Sequence, residues 1–95
     1  MAIKRNTNQI TSAETSPALN MVDANLGRTS LYVESTGDAV YTVQHTVDGT
    51  NWLNHEFLDT VSGNDDGNYV LPVAAIRVVV HSITTGYVKL TVLGV

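Results

Sequence analysis

From Arg28 onward the chain alternates. "RTSLYVES" (Arg28–Ser35) and "DAVYTVQHTV" (Asp38–Val47) set Val, Leu and Tyr against polar neighbours, and "NYVLPV" (Asn68–Val73), "AAIRVVVHS" (Ala74–Ser82) and "YVKLTVLGV" (Tyr87–Val95) continue the pattern. Alternation in segments rich in β-branched and aromatic residues marks strands with one buried face. Turn-forming groups separate them at Ser35-Thr36-Gly37-Asp38, Asp48-Gly49, Gly63 to Gly67 and Thr85-Gly86. No segment sustains helical periodicity; "ALNMVDANL" (Ala18–Leu26) comes nearest and is read as a strand. Short strands at this spacing predict an all-β fold, an antiparallel β-sandwich of jelly-roll or Ig-like type with about seven or eight strands.

The pattern also constrains register. Ile76, Val78 and Val80 share one face, as do Val88, Leu90 and Val92. If these strands form a hairpin, the faces agree only with an odd loop, Thr84-Thr85-Gly86, with Gly86 left-handed. Val78 would then oppose Val92, and Val80 would oppose Leu90. Arg77, Val79, His81, Lys89, Thr91 and Leu93 would share an outer face whose apolar members suggest a contact surface. Around Asp48-Gly49-Thr50-Asn51, a turn by its chemistry, two registers are open. An even loop pairs the face of Tyr41, Val43, His45 and Val47 with Trp52, Asn54, Glu56 and Leu58. An odd loop pairs it with Leu53, His55 and Phe57, setting His45 across from His55.

Residues 1–17 differ. "MAIKRNTNQITSAETS" (Met1–Ser16) is polar, with Ile3 and Ile10 its sizeable apolar groups, too few for a core of its own. It is expected to be an extended arm held by a partner, with 18–95 forming a single sandwich domain. Ninety-five residues suit one small domain of marginal burial. The absence of cysteine removes disulfide reinforcement and thiolate metal sites. Oligomerisation is therefore expected to add stability. A net charge of -4, with five scattered basic residues, argues against a nucleic-acid partner. No apolar run follows Lys4-Arg5, so neither a signal peptide nor a membrane helix is expected, and synthesis in a cytoplasm is.

Chemistry-bearing residues are sparse. His45 and His55 could share a metal in the odd register, but no third ligand is evident. Trp52, the only Trp, reads first as a core residue after the hairpin turn and second as an exposed platform for a sugar ring. Asn64, Asp66 and Asn68 in "SGNDDGNY" (Ser62–Tyr69) alternate as calcium ligands can, yet lack the EF-hand order. No nucleophile elbow, phosphate loop or paired-carboxylate pattern occurs, and no enzymatic activity or cofactor is expected.

"VYTVQHTVDGTNW" followed by "AAIRVVVHSITTGYVKLTVLG" resembles small β-sandwich proteins of tailed bacteriophages over about Ala39 to Gly94. In these a strand enters Ser/Thr-x-Asp-Gly-x-x-Trp, and a later strand leads through a Gly turn into a terminal alternating strand. The resemblance implies a structural virion protein, a capsid decoration or cement subunit. Its partners would be the major capsid protein and sister copies, with a trimer favoured. Ile3, Lys4, Arg5, Ile10, Arg77, Val79 and Lys89 are the contact residues this reading selects. The same region is also similar to discoidin (F5/8 type C) modules, though it is shorter and lacks cysteine. That likeness implies carbohydrate binding through Trp52, Asn64, Asp66 and Tyr69.

Overall fold

A computed structural model describes residues 4–20, 29–69 and 73–94. Eight strands run in the order β1 (Lys4–Ile10), β2 (Leu19–Asn20), β3 (Thr29–Ser35), β4 (Val40–Thr46), β5 (Trp52–Asn54), β6 (Asp65–Tyr69), β7 (Ala75–Ser82) and β8 (Val88–Gly94). They form two four-stranded sheets, β1-β8-β3-β6 and β2-β7-β4-β5, in which every pair is antiparallel. The expected all-β sandwich is what the chain adopts. Leu31 and Val33 on β3, Tyr41 and Val43 on β4, Ile76, Val78 and Val80 on β7, and Val88, Leu90 and Val92 on β8 are all buried in one cluster. Their alternation with more exposed residues is what a sheet with one inward face requires.

The hairpin expected between β7 and β8 does not form. β7 pairs with β2 and β4, whereas β8 pairs with β1 and β3, so residues 83–87 carry the chain from one sheet to the other. Val78 lies beside Val43, not Val92, and Leu90 lies beside Val33, not Val80. The two apolar faces meet across the core instead of lying side by side. Gly86 is left-handed as expected, with φ 90°, but for a different reason. A Cβ there would collide with the carbonyl of Thr36, and one at Gly37 would collide with the carbonyl of Thr85. The β3–β4 and β7–β8 crossovers therefore dock backbone to backbone. Thr36 N–H donates to Tyr87 O at 3.0 Å, Tyr87 N–H to Thr36 Oγ1 at 3.0 Å, and Thr84 N–H to Asp38 Oδ1 at 2.8 Å.

Residues 4–10 are integrated into the chain's own sheet. β1 pairs with β8 from Lys4↔Gly94 to Ile10↔Val88, and Ile10 is buried in the core. The segment that follows runs along β7: Ser16 N–H donates to Val78 O at 2.8 Å, and Ser16 Oγ accepts from Val78 N–H at 3.0 Å. Ile10 is thus a core residue, not a partner contact, because an apolar side chain opposite Val88 has an inner face to fill. Ile3 lies outside the described residues, as does Ala18–Leu26 beyond Asn20. The strand expected at Asn68–Val73 begins earlier, at Asp65, and 70–72 are outside the described residues. Pairing with β3 from Val33↔Asp65 to Thr29↔Tyr69 makes a strand of this acidic stretch despite its weak β-propensity.

Candidate functional site

Among the described strands, β4 and β5 are the only sequence neighbours that pair. Their turn is built on Asp48. Its carboxylate accepts from the N–H groups of Thr50 and Asn51, both at 2.8 Å, and from Thr46 Oγ1 at 3.1 Å. These donors, together with the Asn51 amide, hold the Asp48 pKa far below the usual carboxylate range. The loop is odd, with His45 opposite Leu53 and Thr46 opposite Trp52. His55 sits one step further along, its N–H donating to Val43 O at 2.8 Å. The two histidines are therefore neighbours on one face but not directly opposed.

Tyr69, from the edge strand of the other sheet, comes between them. Its ring lies 4.7 Å from that of His45 and 5.0 Å from that of His55, edge-on to both. Burial pushes the Tyr69 phenol up, so its O–H stays protonated and donates to Nδ1 of His45 at 2.9 Å. Desolvation, with a smaller contribution from His55, lowers the His45 pKa and favours the neutral acceptor. Phe57 N–H donates to Nδ1 of His55 at 3.1 Å. Gly67 on β6 makes this approach possible: a Cβ there would lie 3.2 Å from His55 Nε2 and 3.2 Å from Leu58 Cδ1.

These groups border a cavity of about 690 Å³ between the β5 and β6 edges of the sandwich. Tyr69, His45, His55, Phe57, Val47 and Val73 supply its ring and apolar walls; Asn54, Glu56, Asp66 and Asn68 supply polar groups. Phe57 is 75% exposed and Val47 69%. The odd register places His45, Val47, His55 and Phe57 on one side, so the parity of the turn was the signal for this cluster. The cavity itself needed β6, whose position the sequence pattern did not reveal.

Trp52 is not a core residue. Opposite Thr46 it falls on the outer face, half-buried, with the Arg77 guanidinium 4.0 Å from its ring centroid. Arg77 Nε also donates to Gln44 Oε1 at 2.8 Å, and Gln44 Nε2 donates to Asn54 Oδ1 at 2.9 Å. Of the four sugar-site residues, Asp66 and Tyr69 line the cavity while Trp52 does not. Asn64 accepts from Ser35 N–H at 2.9 Å and so finishes the end of β3. Of the calcium candidates, Asp66 and Asn68 line the cavity and Asn64 does not, and no group of three or more His, Cys, Asp or Glu placed to share a metal occurs among the described residues.

The expected contact residues are divided as well. Arg77 and Val79 belong to the β2-β7-β4-β5 sheet and Lys89 to the other, so the outer face they were expected to share is two faces on opposite sides. Lys4 and Arg5 lie in the edge strand β1, in register with Gly94 and Leu93.

No family model matches this sequence, and no curated protein matches it. Solved structures do. The SPBc2 prophage-derived protein YomS superposes with a TM-score of 0.68, over 99% of this chain and 95% of its own, at 8% identity. A structure of Bacillus endospore appendages, described as a novel family of disulfide-linked pili, superposes with a TM-score of 0.57 over 98% of this chain and 86% of its own, at 15% identity. At these identities the likeness is one of fold. It spans the whole sandwich, including the polar N-terminal segment.

Proposed function

We propose that this chain is a non-enzymatic structural subunit of a bacteriophage particle, a decoration or cement protein that binds the assembled head. The observation that carries this reading is the end-to-end fold likeness to a prophage-derived protein. The pilus likeness supports the coarser half of it, since there a similar fold forms pili. A disulfide-linked assembly is closed to these 95 residues, which contain no cysteine, so association must rest on non-covalent surface.

Two surfaces suit that role. Among the described strands the far side of β1 is a sheet edge, and unpaired edges accept further strands. Beside it, the outer face of the same sheet exposes Tyr32 at 45% and Leu93 at 39%, with Lys89 nearby. Contact through this face would stabilise the shell by mass action, binding the assembled lattice in preference to the free coat subunit. A trimer of this chain over the joints of the lattice is the arrangement we favour.

The test is to purify particles from a lysogen encoding the chain and ask whether it co-purifies in fixed ratio to the coat protein. A Tyr32→Glu/Leu93→Glu double variant should fold yet stay in the soluble fraction. A chain absent from purified particles would overturn the proposal. Removing Met1–Ser16 is not a clean test, because it would strip β1 from β8 and Ser16 from β7.

A further inference from the structure

We infer that the cavity between β5 and β6 binds a small organic cation, an alkylammonium group. The inference is independent of the particle reading. Four rings line this cavity: Phe57, Tyr69, His45 and His55. Two carboxylates, Glu56 and Asp66, line it too, and no Lys or Arg is among its lining residues. Ring faces carry negative potential and attract an alkylammonium within about 6 Å. The carboxylates add charge of the matching sign and would repel an anion. A neutral ligand would desolvate both carboxylates without compensating them.

The remaining geometry is consistent with such an occupant. Tyr69 spends its hydroxyl hydrogen on His45 Nδ1, and His55 Nδ1 is taken by Phe57 N–H. With Nδ1 accepting in both, each neutral imidazole carries its proton on Nε2, and the Tyr69 hydroxyl hydrogen is already engaged. Phe57, 75% exposed, is an aromatic wall left facing water where a ligand would cover it. At 690 Å³ the cavity exceeds one ammonium head, so the attached chain has room as well. The same chemistry is presented by a lysine side chain of another protein and by a free quaternary amine.

The chain has three histidines, His45, His55 and His81, and this supplies an internal control. His81 is on the opposite, outer side, with Nε2 2.7 Å from Thr42 Oγ1. NMR titration of the full chain at pH 8 with tetramethylammonium, with acetyl-lysine amide and with glucose follows all three imidazole Cε1–H signals. Binding predicts saturable shifts at His45 and His55, none at His81, and none with glucose. A larger response to tetramethylammonium assigns a quaternary ligand, and a larger response to acetyl-lysine amide assigns a protein lysine. Glu56→Gln/Asp66→Asn should weaken binding about tenfold, as should Phe57→Ala, an exposed position whose loss spares the core. No shift with either cation, equal shifts with glucose, or unchanged affinity in both variants would overturn the inference.

Discussion

The Arg77 guanidinium lies over the Trp52 ring, 4.0 Å from its centroid, on the outer face of the second sheet. A side chain that composition would assign to the core is thereby held on the surface by a cation. Trp52→Ala should accordingly cost about 1–2 kcal/mol, below the ~3–5 kcal/mol of a core Trp truncation. Urea melts of the variant check this. Because Trp52 is the only Trp, Arg77→Met should also shift the fluorescence of the folded protein.

The docked crossovers make a sharper prediction. Gly37, Gly49 and Gly86 all have positive φ, at 80°, 84° and 90°. A Cβ at Gly49 meets nothing within 4 Å, while one at Gly37 or Gly86 strikes backbone. Gly49→Ala should cost about 1 kcal/mol, the backbone strain alone. Gly86→Ala should cost several times as much, or prevent folding, because both crossovers would have to part. Comparing their thermal melts separates strain from collision.

Ser16 is buried and paired with Val78 in both directions. Ser16→Ala keeps the backbone bond and leaves Val78 N–H without the hydroxyl. The expected loss is about 1–3 kcal/mol, the cost of a buried orphan donor. Hydrogen exchange at Val78 should accelerate in the variant more than at Val43.

Acid should destabilise the fold in two windows. His45 has a folded pKa below the usual imidazole value of 6.5, so unfolding in acid takes up a proton. The stability tied to its neutral form is present above about pH 6.5 and is lost as pH falls through the folded value. Asp48 and Asp38 have folded pKa values below 3.8, so their contribution is present above that pH and lost beneath it. Denaturation midpoints followed from pH 8 to pH 2 should show both declines. His45→Phe should flatten the first and Asp48→Asn the second, each leaving the other in place.

Much of the fold was legible because alternation states which residues face inward, and that survives almost any strand order. Val78, Val80, Leu90 and Val92 are buried as the pattern requires. What alternation cannot state is the partner. Two apolar faces are satisfied equally by lying adjacent in one sheet or by meeting across a core, and a five-residue link can make either connection. The parity argument for β7 and β8 assumed the first. The acidic stretch was hidden for another reason: Asp65, Asp66 and Gly67 have little strand preference and are drawn into β6 by β3. β1 was hidden likewise, since its polar sequence becomes a strand only against β8. For the site, parity located His45, His55 and Phe57 but could not supply Tyr69, which arrives from the other sheet.

The pairing of Lys4 with Gly94 has a consequence for synthesis. On the ribosome the first strand emerges long before the last, and β8 lies between β1 and β3 in the completed sheet. That sheet therefore has no centre until β8 has left the ribosome. Until then β1 and the β3–β6 pair are separate ribbons with open edges, and the second sheet is the one whose strands are all present. Folding should be slow, governed by closure of its longest loop, and aggregation should be greatest when the chain is stalled or truncated just short of β8.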